Sequence, residues 1–150
     1  MSARDWKTAL DDATERCESA GRPLTAQRRE VLRALCDADD HPTADALHGR
    51  LAKRGSDLSR ATVFRSLEML ADLGLARRVS HIGVGVRYDA RIDRHHHFLC
   101  RVCASITDFD DDTFDGIAPR VPGRHATDSV HVTCVGVCEK CARKKRRDES

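Results

Sequence analysis

The chain has 150 residues, and what it lacks already narrows its function. It has no uninterrupted apolar run of the roughly 18 residues that a membrane-spanning helix needs. Its first ten residues, MSARDWKTAL, hold no apolar signal segment, so a cytoplasmic protein without membrane attachment is expected. The formal net charge is only +2, so bulk charge gives no sign of nucleic-acid binding. No internal repeat is visible, and no nucleophile motif such as GxSxG is present. The length suits one large domain or two small ones.

Charge distribution is more informative than its sum. Between Arg50 and Arg78 there are seven basic residues against three acidic ones. The same half of the chain reads as helical. A mixed amphipathic segment from about Asp5 to Ser19 is stopped by Gly21-Arg22-Pro23. Thr25 can cap a second helix with Val31, Leu32 and Leu35 as its apolar stripe, and Thr43 can cap a third with Ala46, Leu47 and Leu51 inside and Gly55 as its stop. Ser59 can cap a fourth, with Val63, Leu67, Leu70 and Leu73 at helical spacing and Gly74 beyond its end. After Gly74 the period changes to alternation, broken by Gly83 and Gly85, which predicts a two-stranded hairpin. Short helices followed by a hairpin are the plan of a winged helix-turn-helix. The helix starting at Ser59 is then the recognition helix, and Ser59, Arg60, Thr62, Phe64 and Arg65 are the candidate DNA contacts. A plain helical domain with a solvated basic face is the competing reading.

The second half carries metal-binding chemistry. Seven cysteines is an odd number, which argues against a complete disulfide framework and for metal ligands or buried thiols in a reducing compartment. Two Cys-x-x-Cys pairs, Cys100/Cys103 and Cys138/Cys141, offer four thiolates for one tetrahedral Zn²⁺ with no position left open for catalysis. The 34 residues between the pairs exceed a compact zinc ribbon, so the ion must tie a hairpin to a distant C-terminal segment. A redox pair or unrelated thiols are the alternative. Cys17, Cys36 and Cys134 are expected as small buried apolar side chains.

Between the halves runs His95-His96-His97. On a strand, His95 and His97 share one face and His96 takes the other. If that strand folds back at the Cys100–Cys103 knuckle, His95 lies opposite Asp108 and His97 opposite Ile106, so His95, His97 and Asp108 can converge while His96 stands by. An exposed polar strand is the alternative. Strand-like segments also occupy ASITDF and RHATDSVHVTCVGV, with a short helix possible in DDDTFDGIAP. The terminal RKKRR is expected to be a solvated, disordered end that can also touch phosphate.

In order along residues 20–142, HPTADAL, RATVFRSL, RYD, HHHFLCRVCASITDF and GVCEKC resemble the ferric uptake regulator (Fur) superfamily. The resemblance implies an α+β architecture: a winged-helix DNA-binding domain over residues 1–89 and a small α/β dimerisation domain over 90–150. It implies a homodimeric, metal-dependent repressor that binds a palindromic operator in double-stranded DNA. It places the structural zinc on Cys100, Cys103, Cys138 and Cys141, and a regulatory Fe²⁺ or Mn²⁺ on His41, Asp89, His95, His97 and Asp108. Three imidazoles and two carboxylates without thiolate suit those metals.

The Asp at 108, where iron-uptake members usually carry Glu, is similar to the peroxide-sensing (PerR-type) branch. In that branch peroxide oxidises a coordinating histidine, here corresponding to His41 or His95. Phe64 replaces the family's usual Tyr in the recognition helix, losing a phenol donor but keeping a surface for a thymine methyl. An iron-, zinc- or nickel-responsive repressor of the same fold is the alternative. A metal-dependent hydrolase is a remote one, disfavoured by the closed cysteine shell.

Overall fold

The computed structural model describes residues 4–148 except 82, 84 and 124. It forms two compact units, one holding the described residues through Asp93 and the other those from Arg94 onward. Among the described residues, no helix is long and apolar enough to cross a membrane.

The N-terminal unit contains α1 (Trp6–Ser19), α2 (Ala26–Cys36), α3 (Ala44–Lys53), α4 (Arg60–Asp72), β1 (Arg77–His81) and β2 (Gly85–Asp89). Each helix begins where a short oxygen-bearing side chain can take up an unpaired amide. Asp5, Thr25, Thr43 and Ser59 accept from the N–H three residues on, at 2.9, 3.3, 3.1 and 3.1 Å. Each cap is worth about 1 kcal/mol. The stop of α4 is as local. Gly74 adopts φ +68°, which lets the amides of Gly74 and Leu75 reach back to the carbonyls of Ala71 and Leu70 at 3.0 and 2.8 Å. Gly55, at φ +88°, closes α3 in the same way.

The faces so fixed supply the core. Val31, Leu32 and Leu35 of α2, Leu47 and Leu51 of α3, and Val63, Leu67 and Leu70 of α4 are buried together with Ala9 and Ala13 of α1. Full burial of each large aliphatic side chain contributes about 1.5–3 kcal/mol. β1 and β2 pair antiparallel from Arg77 opposite Asp89 to His81 opposite Gly85. Tyr88 ties this hairpin to the helices. Its ring is buried, its hydroxyl donates to Glu68 at 2.6 Å, and its amide donates to the Pro42 carbonyl at 3.0 Å. The Glu68 carboxyl is held below its usual range, first by Arg78 and then by Tyr88.

The C-terminal unit contains β3 (His96–Cys100), β4 (Ile106–Phe109), α5 (Asp112–Asp115), β5 (Thr133–Gly136) and α6 (Glu139–Asp148). The sheet order is β4-β3-β5. β3 is antiparallel to β4 and parallel to β5. Its apolar core is small: Leu99, Cys100 and Ile106 are its buried hydrophobics among the described residues.

Three sequence expectations are corrected here. The β3–β4 register places His97 opposite Asp108 and Leu99 opposite Ile106, two residues away from the expected pairing. The cause is the knuckle, which spans 101–104, with Ala104 at φ +58°, before the Cys100 amide meets the Ser105 carbonyl at 2.9 Å. A two-residue shift preserves which side chains share a face. The third strand is confined to Thr133–Gly136. The basic C-terminal segment, expected to be disordered, is the helix α6.

Candidate metal centres and nucleic-acid interface

The four cysteines of the two pairs gather at one end of the C-terminal unit. Cys100 ends β3, Cys103 lies in the knuckle, Cys138 directly precedes α6 and Cys141 sits in its first turn. Their four sulfurs all lie within 4.8 Å of one another, and Cys103 Sγ is 3.8 Å from Cys138 Sγ. A tetrahedron with Zn–S bonds of about 2.3 Å has edges of about 3.8 Å. All seven cysteines are free thiols.

The local electrostatics favour thiolate at some positions and resist it at another. The Cys138 amide donates to Cys100 Sγ at 3.3 Å. That amide, followed by the Cys103 amide, brings the Cys100 thiol down to about 6. Cys103 is also lowered, first by the Ser105 hydroxyl, which lies 3.2 Å away. Cys141 is pushed up to about 12, first by Cys138 and then by Cys103. Four thiols this close cannot all ionise without a cation among them, and a divalent metal meets that requirement. Of the remaining cysteines, Cys17 and Cys36 are buried as expected, and burial raises the Cys36 thiol to about 11. Cys134 is only half-buried, which corrects its expected burial.

A second cluster lies at the other end of the β3–β4 pair. His95 Nε2 and His97 Nε2 are 3.1 Å apart, with the rings nearly perpendicular at 88°. Asp108 Oδ1 stands 3.7 Å from the first and 3.5 Å from the second. Both imidazoles are buried, which rules out the exposed polar strand. Two imidazole nitrogens facing each other at this distance repel unless a proton or a metal ion lies between them.

The N-terminal unit holds its own pair. His41 Nε2 lies 3.3 Å from Asp89 Oδ2, and both side chains are buried. His41 adopts φ +51°, an uncommon conformation for a residue with a Cβ. It is fixed from both sides, because Arg87 donates to its carbonyl at 3.3 Å and the next carbonyl, that of Pro42, receives the Tyr88 amide. Asp89 Oδ1 accepts from the Arg91 amide at 2.7 Å, which aims the carboxylate.

His96 is on the opposite face, as expected, but it is fully buried. It packs against Phe109 and Phe114 with centroid distances of 5.6 and 5.5 Å. Its Nε2 is 3.3 Å from Asp115 Oδ1, and its Nδ1 accepts from the Val132 amide at 3.4 Å. Sequence reading missed this core role, because an outward histidine and an inward one have the same spacing.

At the start of α4, the Ser59 and Thr62 hydroxyls are 2.8 Å apart, and Arg65 reaches Thr62 Oγ1 at 3.5 Å. Phe64 is 49% exposed. Arg60 makes a two-point ion pair with Asp45 in the first turn of α3, one arm at 2.6 Å. Nothing in the residue pattern foretells this pair, since an acidic residue in a helix's first turn is ordinary. Thr43, Asp45, Arg60, Phe64, Val86 and Tyr88 line a cleft of about 580 Å³ between α3, α4 and β2.

Comparison with known proteins places these features. The chain is 27% identical over 136 residues to the peroxide-responsive repressor PerR of Staphylococcus epidermidis, covering 88% of this chain and 89% of that protein. Its fold is similar to that of the Helicobacter pylori ferric uptake regulator, at a TM-score of 0.72 and 18% identity, covering 95% and 97% of the two chains. It is also similar to a zinc-bound manganese uptake regulator, at a TM-score of 0.65 and 25% identity, covering 87% and 99%. The family profile matches residues 19–135, and the chain belongs to the ferric uptake regulator family of metal-dependent transcriptional regulators.

Proposed function

We propose that this protein is a homodimeric, metal-dependent DNA-binding repressor that senses peroxide. In this reading residues 1–89 bind the operator and residues 90–150 dimerise and sense. Cys100, Cys103, Cys138 and Cys141 hold a structural Zn²⁺, which staples a unit whose apolar core is small. His41 and Asp89 from one unit, with His95, His97 and Asp108 from the other, hold one regulatory Fe²⁺ or Mn²⁺. The nitrogen and oxygen donor set suits those ions. The two halves together offer five donors where each alone offers two or three, so an ion held by all five favours the closed, DNA-binding arrangement by its extra affinity for it. In a two-fold symmetric dimer, that arrangement sets the separation of two α4 helices to match a palindrome.

The observation that carries peroxide sensing is Asp108, a short carboxylate directly across from His97. Fe²⁺ held by these residues would supply the electrons for cleavage of the O–O bond of H₂O₂. In net terms an imidazole C–H of His41 or His95 gains one oxygen atom from H₂O₂ and one water leaves. The modified ring loses its donor geometry, the two halves part, and the dimer leaves DNA.

The test is operator binding by Fe²⁺- and Mn²⁺-loaded protein before and after dilute H₂O₂. Release of the Fe²⁺ form alone, with one oxygen added at His41 or His95, is the expected result. Metal-dependent binding unaffected by peroxide in the Fe²⁺ form establishes a metal-level sensor in its place.

A further inference from the structure

The helix α6 is absorbed neither by the zinc shell nor by the regulatory site. Its ten residues, Glu139–Asp148, include six basic and two acidic side chains. Lys140, Arg143, Lys144 and Arg147 stand at i, i+3, i+4 and i+7, so they form one stripe along the helix. Cys141 and Ala142, which are half-buried, lie on the other side. All four stripe residues are exposed. Among the described residues, Lys140, Lys144 and Arg147 have no ion-pair partner, and Arg143 pairs with Glu139.

Such a stripe is costly as structure alone. Lys140 faces Lys144 and Arg143 faces Arg147 at i, i+4 spacing, where like charges repel by a few tenths of a kcal/mol per pair. The helix dipole offsets part of this for the cations of the last turn. The helix is nevertheless fixed at its start, where Cys138 and Cys141 join the Cys100–Cys103 knuckle. The cations are therefore presented on an anchored rod rather than on a tail that must be ordered on binding. Seven residues of helix span about 10 Å. Successive phosphates of one strand lie further apart than their axial rise of about 3.4 Å, because the backbone also winds around the axis, so the stripe's length matches about two of them.

We infer that the Lys140–Arg143–Lys144–Arg147 face of α6 binds the phosphate backbone of DNA, as a sequence-independent contact in addition to α4. This rests on the DNA-binding reading above and extends it to the C-terminal unit.

The experiment measures the salt dependence of DNA binding by the metal-loaded, full-length dimer. Lys140→Gln, Arg143→Gln, Lys144→Gln and Arg147→Gln are combined in one variant. Lys145→Gln with Arg146→Gln, on the other side of α6, is the control. Zinc content and circular dichroism verify that both variants fold. Each phosphate contact contributes about 0.9 to the slope of log K against log salt.

Loss of two contacts should lower the slope by about 1.8. Between 50 and 200 mM salt the wild type should then lose about tenfold more affinity than the four-site variant. The loss should be equal on operator and random duplexes, and the control should keep the wild-type slope. Equal slopes for wild type and the four-site variant overturn the assignment, as does an equal drop in the control, which would mean that charge number rather than the stripe matters. Failure of the metal-loaded wild type to bind any operator sinks the repressor reading itself and this inference with it.

Discussion

Replacing Asp108 with Glu should separate metal-dependent DNA binding from the proposed peroxide sensing. The Asp108 carboxylate oxygen lies 3.5 Å from His97 Nε2 and 3.7 Å from His95 Nε2. One further methylene adds about 1.5 Å of reach. Along the present direction this carries the carboxylate to about 2 Å from the imidazole nitrogen, inside van der Waals contact, so the Glu side chain must swing aside or displace the ion. The charge is unchanged, and metal should still close the site, leaving operator affinity of the Mn²⁺ form within a few-fold of wild type.

Oxidation is more exacting than binding, since a misplacement of about 1 Å can slow a positioned reaction about 100-fold, equivalent to about 2.7 kcal/mol. The Fe²⁺-loaded Asp108→Glu protein should therefore oxidise at least tenfold more slowly than wild type. Quenched time points analysed by peptide mass spectrometry, following the single oxygen added at His41 or His95, give the rate directly. Oxidation at the wild-type rate would refute the role given to the short carboxylate. Loss of Mn²⁺-dependent DNA binding would refute the separation of the two functions.

Further outcomes follow from the other sites. Cys138→Ser removes one of the four sulfur ligands while keeping the amide that donates to Cys100, and it should abolish zinc retention and disrupt the C-terminal unit; a zinc-replete, folded dimer would contradict the four-cysteine site. After chelation at pH 7, the exposed Cys103, whose thiol is lowered, should alkylate before Cys141, whose thiol is pushed up to about 12; the reverse order, read by mass spectrometry, would exclude this electrostatic arrangement. Arg65→Ala should cost about 1–3 kcal/mol on operator if it contacts a base, or weaken all DNA equally if it contacts phosphate; unchanged binding to both removes Arg65 from the interface. Asp45→Asn frees Arg60 from its ion pair and should steepen the salt slope by about 0.9; an unchanged slope would mean that Arg60 meets no phosphate.

How much of this arrangement a sequence reveals depends on how local its cause is. The caps at Thr25, Thr43 and Ser59 and the glycine stops at 55 and 74 act within one turn, so the helices of the N-terminal unit were readable from spacing. The face shared by His97 and Asp108 was readable too, because strand alternation survives a register error of two residues. The register itself depended on how many residues the knuckle consumes, and that is set by the Cys100–Ser105 backbone bond and the left-handed Ala104. Neither leaves a mark in residue type.

His41 shows the same limit. Its position before Pro42 suggests an ordinary loop, yet its conformation is held by Arg87 and Tyr88, more than forty residues on. Only the family resemblance singled it out. The terminal helix departs from expectation for the opposite reason. Its composition argues for a solvated coil, and intrinsic propensity cannot weigh an anchor formed by two cysteines against thiols nearly forty residues earlier. The anchoring that made α6 hard to foresee is also what gives its charge stripe a fixed direction, and it ties the stripe to the four-cysteine cluster. If α6 binds phosphate, stripping the zinc should reduce the salt slope of DNA binding through this helix, and not only through loss of the dimer.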